Sequence, residues 1–159
     1  MSKASLPVVA LTLGDPSGIG AELIARLLAR PQATQQANLV LIGDPWLWEQ
    51  GQRIAGLQVA TVPLAGLSAA RERADTRLPA FVAVDTVAQV DVVPGQVGAA
   101  GGRSVLQVLD QCMDAALAGD IDAICFAPLN KQAMKLGGLR HEDELHHFAE
   151  YLGVTGYFC

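Results

Sequence analysis

The chain has 159 residues, of which 51% are hydrophobic and 17% charged, and its formal net charge is −5. That length suffices for one well-buried domain, and the composition excludes a disordered chain. An acidic balance without a basic tract argues against nucleic-acid binding, and no apolar run approaches the roughly 20 residues of a membrane span. Three scattered cysteines without a C-x-x-C pattern favour a reducing compartment. We therefore expect a soluble cytoplasmic protein that binds neither nucleic acid nor membrane.

Short apolar runs rich in Val, Ile and Leu recur along the chain, bounded by Gly, Pro or Asp. They predict buried strands at 7–13, 38–43, 57–62, 81–84 and 121–127. Helical spacing lies between them, in a stripe that starts at Ile19 and ends at Arg30, in a helix from Asp44 to Gly56, and at about 104–118 and 142–152. This alternation predicts an α/β fold with a mostly parallel sheet and flanking helices.

Three segments fit that pattern less well. Residues 65–80 carry charges of both signs and predict an exposed excursion, and the glycine-rich residues 92–104 predict a loop. The last residues, "VTGYFC", predict the start of another strand, so we expect the chain to be truncated.

A glycine turn interrupts the apolar pattern in "LTLGDPSGIGAE", where Gly14, Gly18 and Gly20 surround Asp15. A strand, a glycine turn and a helix start expose backbone N–H groups that can hold an anion. The spacing matches neither G-x-G-x-x-G nor the P-loop, so an ordinary dinucleotide site is not expected. Two explanations stay open: the glycines contact a ligand, or they permit positive φ and close packing.

The segment "FAPLNKQAM" follows the strand at 121–127, and therefore lies at the edge of the sheet where open α/β folds bind ligands. The amide of Asn130 and the cation of Lys131 can hold a carboxylate or a phosphate. The alternative is a helix start with a lysine that faces solvent.

All three histidines, His141, His146 and His147, fall in "RHEDELHHFAE". A zinc-protease motif needs a four-residue step, whereas His141 and His146 are five positions apart and point in different directions on a helix. One of the three can be a single ligand in a site completed elsewhere. Exposed helix histidines are the favoured interpretation of His146 and His147.

Three motifs together resemble the PdxA family of 4-hydroxythreonine-4-phosphate dehydrogenases, in identity and in order. They are "GDPSGIGAE" (14–22), "PGQVGAAGG" (94–102) and "DIDAICFAPLNKQAM" (120–134). Family members are much longer than this chain. The resemblance therefore implies that residues 1–159 form the amino-terminal α/β portion of a two-lobed enzyme similar to isocitrate and isopropylmalate dehydrogenases, with the carboxyl-terminal lobe absent.

The resemblance also implies a chemistry: NAD- or NADP-dependent oxidation of a secondary alcohol, followed by decarboxylation, in a homodimer. A divalent metal (Zn, Mg, Co or Mn) would be held by three histidines drawn from both subunits. By motif, Asn130 and Lys131 would contact a small anionic phosphorylated substrate, with Lys131 also catalytic, and His141 would be the first metal ligand. The other metal histidines and most cofactor contacts would lie beyond Cys159, so we expect this fragment alone to be inactive.

Two departures from the family bear on the substrate. Phe126 stands where the family has a threonine, and "RHEDE" replaces its G-H-T-E motif. "FAPLNKQAM" with "HEDELHHFA" is more similar to the PdxA2 branch, which favours 4-phospho-D-threonate or 4-phospho-D-erythronate; 4-hydroxythreonine-4-phosphate, in pyridoxal phosphate biosynthesis, is the alternative. The resemblance also places the glycine turn at the edge of the cleft, which favours ligand proximity, although Asp15 would repel the phosphates of NAD.

Two other classes of function stay open. A metal-dependent hydrolase would use His141 with Glu142, Asp143 or Glu144, and a non-catalytic module would bind an anion between Lys131 and the glycine turn. The dehydrogenase hypothesis requires Asn130, Lys131 and His141 to share one pocket rim.

Overall fold

Strands and helices alternate along the chain in the computed structural model, which describes residues 6–156. The strands are β1 (Val8–Thr12), β2 (Asn38–Gly43), β3 (Val62–Pro63), β4 (Ala80–Ala83) and β5 (Ala123–Phe126). The helices are α1 (Gly20–Leu28), α2 (Pro45–Ala55), α3 (Ala99–Leu117), α4 (Lys131–Gly137) and α5 (Glu144–Leu152). Short 3₁₀ turns occupy Leu67–Ala69 and Gln89–Asp91.

The five strands form one parallel sheet in the order β3-β4-β2-β1-β5, which confirms the expected α/β class. From β1 the chain builds one side of the sheet with β2, β3 and β4, of which β4 lies between β2 and β3. It then returns to add β5 on the other side of β1. The carboxyl ends of β1 and β5 consequently mark the point where the strand order reverses, which is where open α/β sheets bind ligands. Thr12 pairs with Phe126 at this end.

Two apolar layers cover the sheet because successive strand residues point to opposite faces. On one face, Ala10 and Val40 pack with Val108 and Cys112 of α3. On the other face, residues such as Leu11 and Leu41 pack against helices α1 and α2. The sheet is thus a buried middle layer, as the continuous apolar sequence of its strands predicts.

Helices α4 and α5 pack mainly on α3, and Phe148 of α5 also makes an edge-to-face contact with Phe126 of β5. Met134 of α4 and Leu139 pack on Val105 and Leu109 of α3 in a separate apolar cluster. The backbones of α3 and α4 approach so closely that a Cβ on Gly102 would overlap the carbonyl group of Ala133. The segment after β5 therefore packs closely on α3 through helix α4.

Helix α3 corrects the expectation of a loop at 92–104, because it begins at Ala99. Glycine lowers helix propensity, but here it permits the close contact with α4 that stabilises the helix. The strand expected at 57–62 is also largely wrong, since only Val62–Pro63 pairs with β4.

Residues 65–80 are exposed in part, as their charges predict, because Arg71, Glu72, Asp75 and Arg77 face solvent, but the segment is also anchored to the core. Leu67 and Ala70 are buried in the core beneath α3. Arg73 donates hydrogen bonds to Oδ1 of Asn38 at 2.5 Å and to the carbonyl of Leu78 at 2.6 Å, so its charge ties the segment to β2.

Two further expectations concern the end of the chain and the membrane. Residues 154–156 do not form a strand, and the remainder of the strand expected there, 157–159, lies outside the described residues. No helix within 6–156 has the length and hydropathy needed to cross a bilayer.

Candidate functional site

The glycine turn after β1 packs directly against the loop that follows β5. The backbone N–H of Asp15 donates to the carbonyl oxygen of Pro128 at 3.1 Å. Gly14 has a φ of +72°, and a Cβ there would lie 2.6 Å from that same oxygen. A Cβ on Gly20 would overlap the carbonyl of Leu13. Close packing therefore requires Gly14 and Gly20, and a ligand is not needed to explain them.

The second glycine-rich motif meets the same turn from the other side. The N–H of Gly95 donates to the carbonyl of Ser17 at 2.7 Å, and a Cβ on Gly101 would lie 3.2 Å from Cγ of Pro16. Asp15 is 6% exposed, and its Oδ1 accepts hydrogen bonds from the N–H and the hydroxyl of Ser17, both at 2.9 Å. All three motifs that the sequence singled out thus meet at one edge of the sheet.

Asn130 and Lys131 begin helix α4 at this edge. Asn130 is the N-cap, and its Oδ1 accepts from the N–H of Ala133 at 2.9 Å. The carbonyl oxygen of the amide is therefore used by the fold, whereas its nitrogen has no hydrogen-bond partner among the described residues. The Lys131 side chain is 59% exposed. Together they present amide and ammonium donors, which are groups that bind carboxylates and phosphates.

The start of helix α5 lies beside Lys131. Its N-cap, Asp143, has Oδ2 3.8 Å from Nζ of Lys131. Oδ1 of Asp143 accepts from the N–H of His146 at 3.1 Å and contacts Nδ1 of the same residue at 2.7 Å. The hydrogen bonds from His146, assisted by the charge of Lys131, lower the pKa of Asp143 to about 2. This carboxylate is thus held ionised next to the lysine.

His141 lines an open cavity of about 440 Å³ between α3 and α5. Its Nε2 lies 2.6 Å from Oε2 of Glu150, and its ring lies 5.9 Å from that of His147. Lys131 is not among the residues that line this cavity, which are Leu106, Asp110, Gly138, Leu139, Arg140, His141, His147, Glu150 and Tyr151. Lys131 thus contacts Asp143, whereas His141 contacts Glu150. That Lys131 and His141 share one pocket rim stays a prediction.

Helix α5 is fastened to α3 by polar contacts. Nε2 of His147 lies 2.8 Å from Oδ1 of Asp110, and the hydroxyl of Tyr151 donates to Oδ1 of Asp114 at 2.7 Å. That last bond is the main reason why the pKa of Tyr151 rises to about 12. The His147 side chain is only 18% exposed, so the expectation of an exposed helix histidine is wrong for this residue.

Sequence reasoning missed a buried network behind the site. Asp44 is the N-cap of α2 by position, but its carboxylate does not cap that helix. It is 2% exposed and accepts from the N–H of Thr86 at 2.8 Å and from its hydroxyl at 2.6 Å. The Thr86 hydroxyl also lies 2.6 Å from the hydroxyl of Ser104 in α3. The sequence predicts Asp44 only as the start of a helix and carries no signal for this long-range contact with Thr86.

The groups present fit a metal only in part. Across residues 6–156, no three His, Cys, Asp or Glu side chains are arranged to hold a metal ion. Nε2 of His141 is engaged by Glu150. Oε2 of Glu144, by contrast, is buried without a hydrogen-bond partner. Any hydrogen-bond donor, water included, satisfies such an oxygen, so it does not by itself point to a metal. Within residues 6–156 the side chains therefore do not form a metal site by themselves, and His141 is the ligand that the family resemblance implies.

Comparisons with known proteins agree with these motifs. Residues 35–159 match the family model described as pyridoxal phosphate biosynthetic protein PdxA. A Pasteurella multocida protein provisionally named a 4-hydroxythreonine-4-phosphate dehydrogenase is 40% identical over 95% of this chain and 45% of its own length. The D-threonate 4-phosphate dehydrogenase of Bordetella bronchiseptica is 35% identical over 94% of this chain and 42% of its own.

A solved structure supports the same relationship. The crystal structure of a 4-hydroxythreonine-4-phosphate dehydrogenase from Burkholderia phymatum superposes with a TM-score of 0.84 at 30% identity, over 95% of this chain and 45% of that one. The chain thus spans less than half the length of the relatives that it matches. With the family model covering most of its residues and the fold shared, the chain belongs to the PdxA family.

Proposed function

We propose that this chain is the amino-terminal half of a metal- and NAD(P)-dependent dehydrogenase. Its substrate would be a phosphorylated four-carbon hydroxy acid of the 4-phospho-D-threonate or 4-phospho-D-erythronate type, oxidised with decarboxylation. The observation that carries the proposal is the convergence of the three family motifs at the carboxyl ends of β1 and β5, where Asn130 and Lys131 present their donors.

The residues of this chain would bind and orient the substrate. The Asn130 amide nitrogen donates to an anionic oxygen while its carbonyl oxygen keeps α4 in place. Lys131 supplies the positive charge that holds the carboxylate or phosphate in line with the reacting carbon. The chemistry that a bound metal and nicotinamide would supply is polarisation of the substrate hydroxyl group and acceptance of the hydride. His141 would bind the metal by exchanging its contact with Glu150 for the ion.

Two features of the proposal concern the whole protein. The relatives' names support both substrate types, since D-threonate 4-phosphate and 4-hydroxythreonine-4-phosphate dehydrogenases are both similar to this chain. A homodimer whose subunits share the metal histidines would complete the site with residues that this chain does not contain. The non-catalytic anion-binding module remains the alternative.

The test is a dehydrogenase assay on the complete gene product. Purified protein with a divalent metal is mixed with NAD or NADP and each of three substrates, 4-phospho-D-threonate, 4-phospho-D-erythronate and 4-hydroxythreonine-4-phosphate. We expect formation of the reduced cofactor with a threonate or erythronate phosphate, and none after chelation of the metal. The 159-residue chain serves as a control and should show no turnover. Anion binding without turnover on any substrate would favour the binding module.

A further inference from the structure

A small cavity lies behind the glycine turn, at the carboxyl ends of β1 and β2. Its volume is about 10 Å³, close to the minimum that one water molecule needs. Three polar side chains line it, those of Thr12, Asp44 and Ser104, which are 2%, 2% and 4% exposed. The other side chains that line it, such as Ile42 and Val108, are apolar. The three polar groups are therefore shielded from bulk water and depend on partners inside the protein.

The hydroxyl group of Thr12 is the unsatisfied group of this cavity. Its Oγ1 is buried and has no hydrogen-bond partner among the described residues. A buried hydroxyl group without a partner destabilises the folded state, so native proteins rarely leave one unpaired. The threonine at this position therefore needs a partner within the cavity.

The other two polar side chains present acceptors to the cavity. The Thr86 hydroxyl group has one proton, which it donates to Oδ2 of Asp44 at 2.6 Å. Ser104 then donates its own proton to the hydroxyl oxygen of Thr86, 2.6 Å away. With both protons used, Asp44 and Ser104 offer only oxygen lone pairs. A donor without an acceptor, on Thr12, and two acceptors thus surround a space for one water molecule.

We infer that one water molecule is an integral part of this cavity, bound by Thr12, Asp44 and Ser104. It accepts a hydrogen bond from the Thr12 hydroxyl group and donates its two protons to the Asp44 carboxylate and to the hydroxyl oxygen of Ser104. Three hydrogen bonds are typical of a buried water. Through this molecule, the end of β1 that leads into the glycine turn is tied to the start of α2 and to α3. The site is separate from the proposed catalytic chemistry, because Asn130 and Lys131 do not line the cavity.

A high-resolution crystal structure of the complete gene product tests the site directly. We expect one density peak within about 3.2 Å of Oγ1 of Thr12 and of an oxygen of Asp44 or Ser104. Thr12→Ser keeps the donor and should keep the peak. Thr12→Val removes the donor and places a methyl group in a space with no room to spare, so it should lose the peak. A peak with oxygen contacts of about 2.4 Å would be a cation and would overturn the assignment to water.

Thermal unfolding of the complete gene product gives a second readout, in which the sign decides. If the Thr12 hydroxyl group had no partner, Thr12→Val would remove an unsatisfied polar group and raise the Tm. With the water bound, the same variant loses hydrogen bonds, and its Tm should fall by roughly 1–3 °C. Thr61→Val is the matched control, because Thr61 is partly exposed and its side chain makes no hydrogen bond within the described part of the chain. Its Tm should match that of the wild type.

Two results would overturn the inference. One is a wild-type crystal in which the cavity is dry or the Thr12 hydroxyl group donates directly to a protein atom. The other is a Thr12→Val variant whose Tm equals or exceeds that of the wild type. Neither measurement involves dehydrogenase activity, so the proposed function is tested separately.

Discussion

At the residue scale, Asn130 serves both the fold and a bound anion, whereas Lys131 serves mainly the anion. Asn130 uses its oxygen to cap α4 and leaves its nitrogen to donate. Lys131 is held loosely, with Nζ 3.8 Å from the Asp143 carboxylate. An exposed pair at that distance contributes little to stability. The charge of Lys131 is therefore more important for binding than for folding.

Replacing Lys131 should separate these two roles. In the complete gene product, Lys131→Met should lower kcat/KM for the phosphorylated substrate by roughly 10–100-fold, because a charge-assisted hydrogen bond contributes about 1.5–3 kcal/mol. The Tm should hardly change. Lys135→Met, an exposed lysine one turn later in α4, is the control and should keep full activity. Equal kinetics for the two variants would rule out substrate binding by Lys131.

Gly14 presents the opposite case, a residue fixed by folding. Gly14→Ala should destabilise the protein by roughly 2–4 kcal/mol, the sum of a left-handed backbone penalty and a clash with the Pro128 carbonyl at 2.6 Å. Gly56→Ala shares the positive φ, +65°, but meets no atom within 4 Å, so it should lose only about 1 kcal/mol. Urea unfolding of both variants measures the difference. Equal losses would mean that the turn can move away from Pro128.

At the element scale, the hydrophobic periodicity predicted most of the strands and of the helices that flank the sheet. It failed where contacts between distant parts of the chain determine the local structure. Helix α3 extends to Ala99 because Gly101 and Gly102 let it approach Pro16 and Ala133, and a glycine-rich sequence alone reads as a loop. The anchoring of the segment 65–80 was missed for a similar reason, since the hydrogen bond from Arg73 to Asn38, 35 positions away, leaves no local pattern.

The residues of the candidate site were likewise predicted only where local sequence determines their position. The motifs located Asn130 and Lys131 at the strand end because that placement follows from the order of strand and turn. They did not predict that His147 would bind Asp110, 37 positions away, since no local signal encodes a contact between α5 and α3. The burial of one Glu144 oxygen likewise depends on the packing of α5.

The start of α5 should respond to acid through Asp143. Its pKa, lowered to about 2 by His146, lies below the ordinary value of 3.8. The folded state therefore binds fewer protons at Asp143 than the unfolded state does, and the ionised carboxylate stabilises α5. That stabilisation is complete above about pH 4 and is lost as the pH falls towards 2. Asp143→Asn keeps the N-cap but removes the charge. The wild type should therefore exceed this variant in Tm at pH 6, and the difference should vanish near pH 2.

Hydrogen exchange of the α5 amides locates this effect, and Glu142→Gln is the control for a neighbouring exposed carboxylate. A Tm difference between wild type and Asp143→Asn that stays constant from pH 6 to pH 2 would contradict the assigned linkage.

At the scale of the whole molecule, the two edges of the sheet are unequal. Strand β3 has two residues and includes Pro63, and both features discourage pairing with another strand. Strand β5 has four residues without proline, and within the described residues it pairs only with β1. Ala123, Cys125 and Phe126 are exposed along it. Strand β5 is therefore the edge that is open to pairing with another strand, in a chain that spans about 45% of the length of its relatives.

When the 159-residue chain is produced alone, this edge should promote self-association. Cys125→Lys places a charge on β5 and should weaken association by about fivefold for each pair of lysines that meet, since opposed like charges cost up to about 1 kcal/mol. Val62→Lys places the same charge on β3, an edge already blunted, and should leave association unchanged. Light scattering after size-exclusion chromatography, under reducing conditions, measures both. If Val62→Lys weakens association as much as Cys125→Lys does, the added charge acts on the surface in general. Strand β5 is then not the site of association.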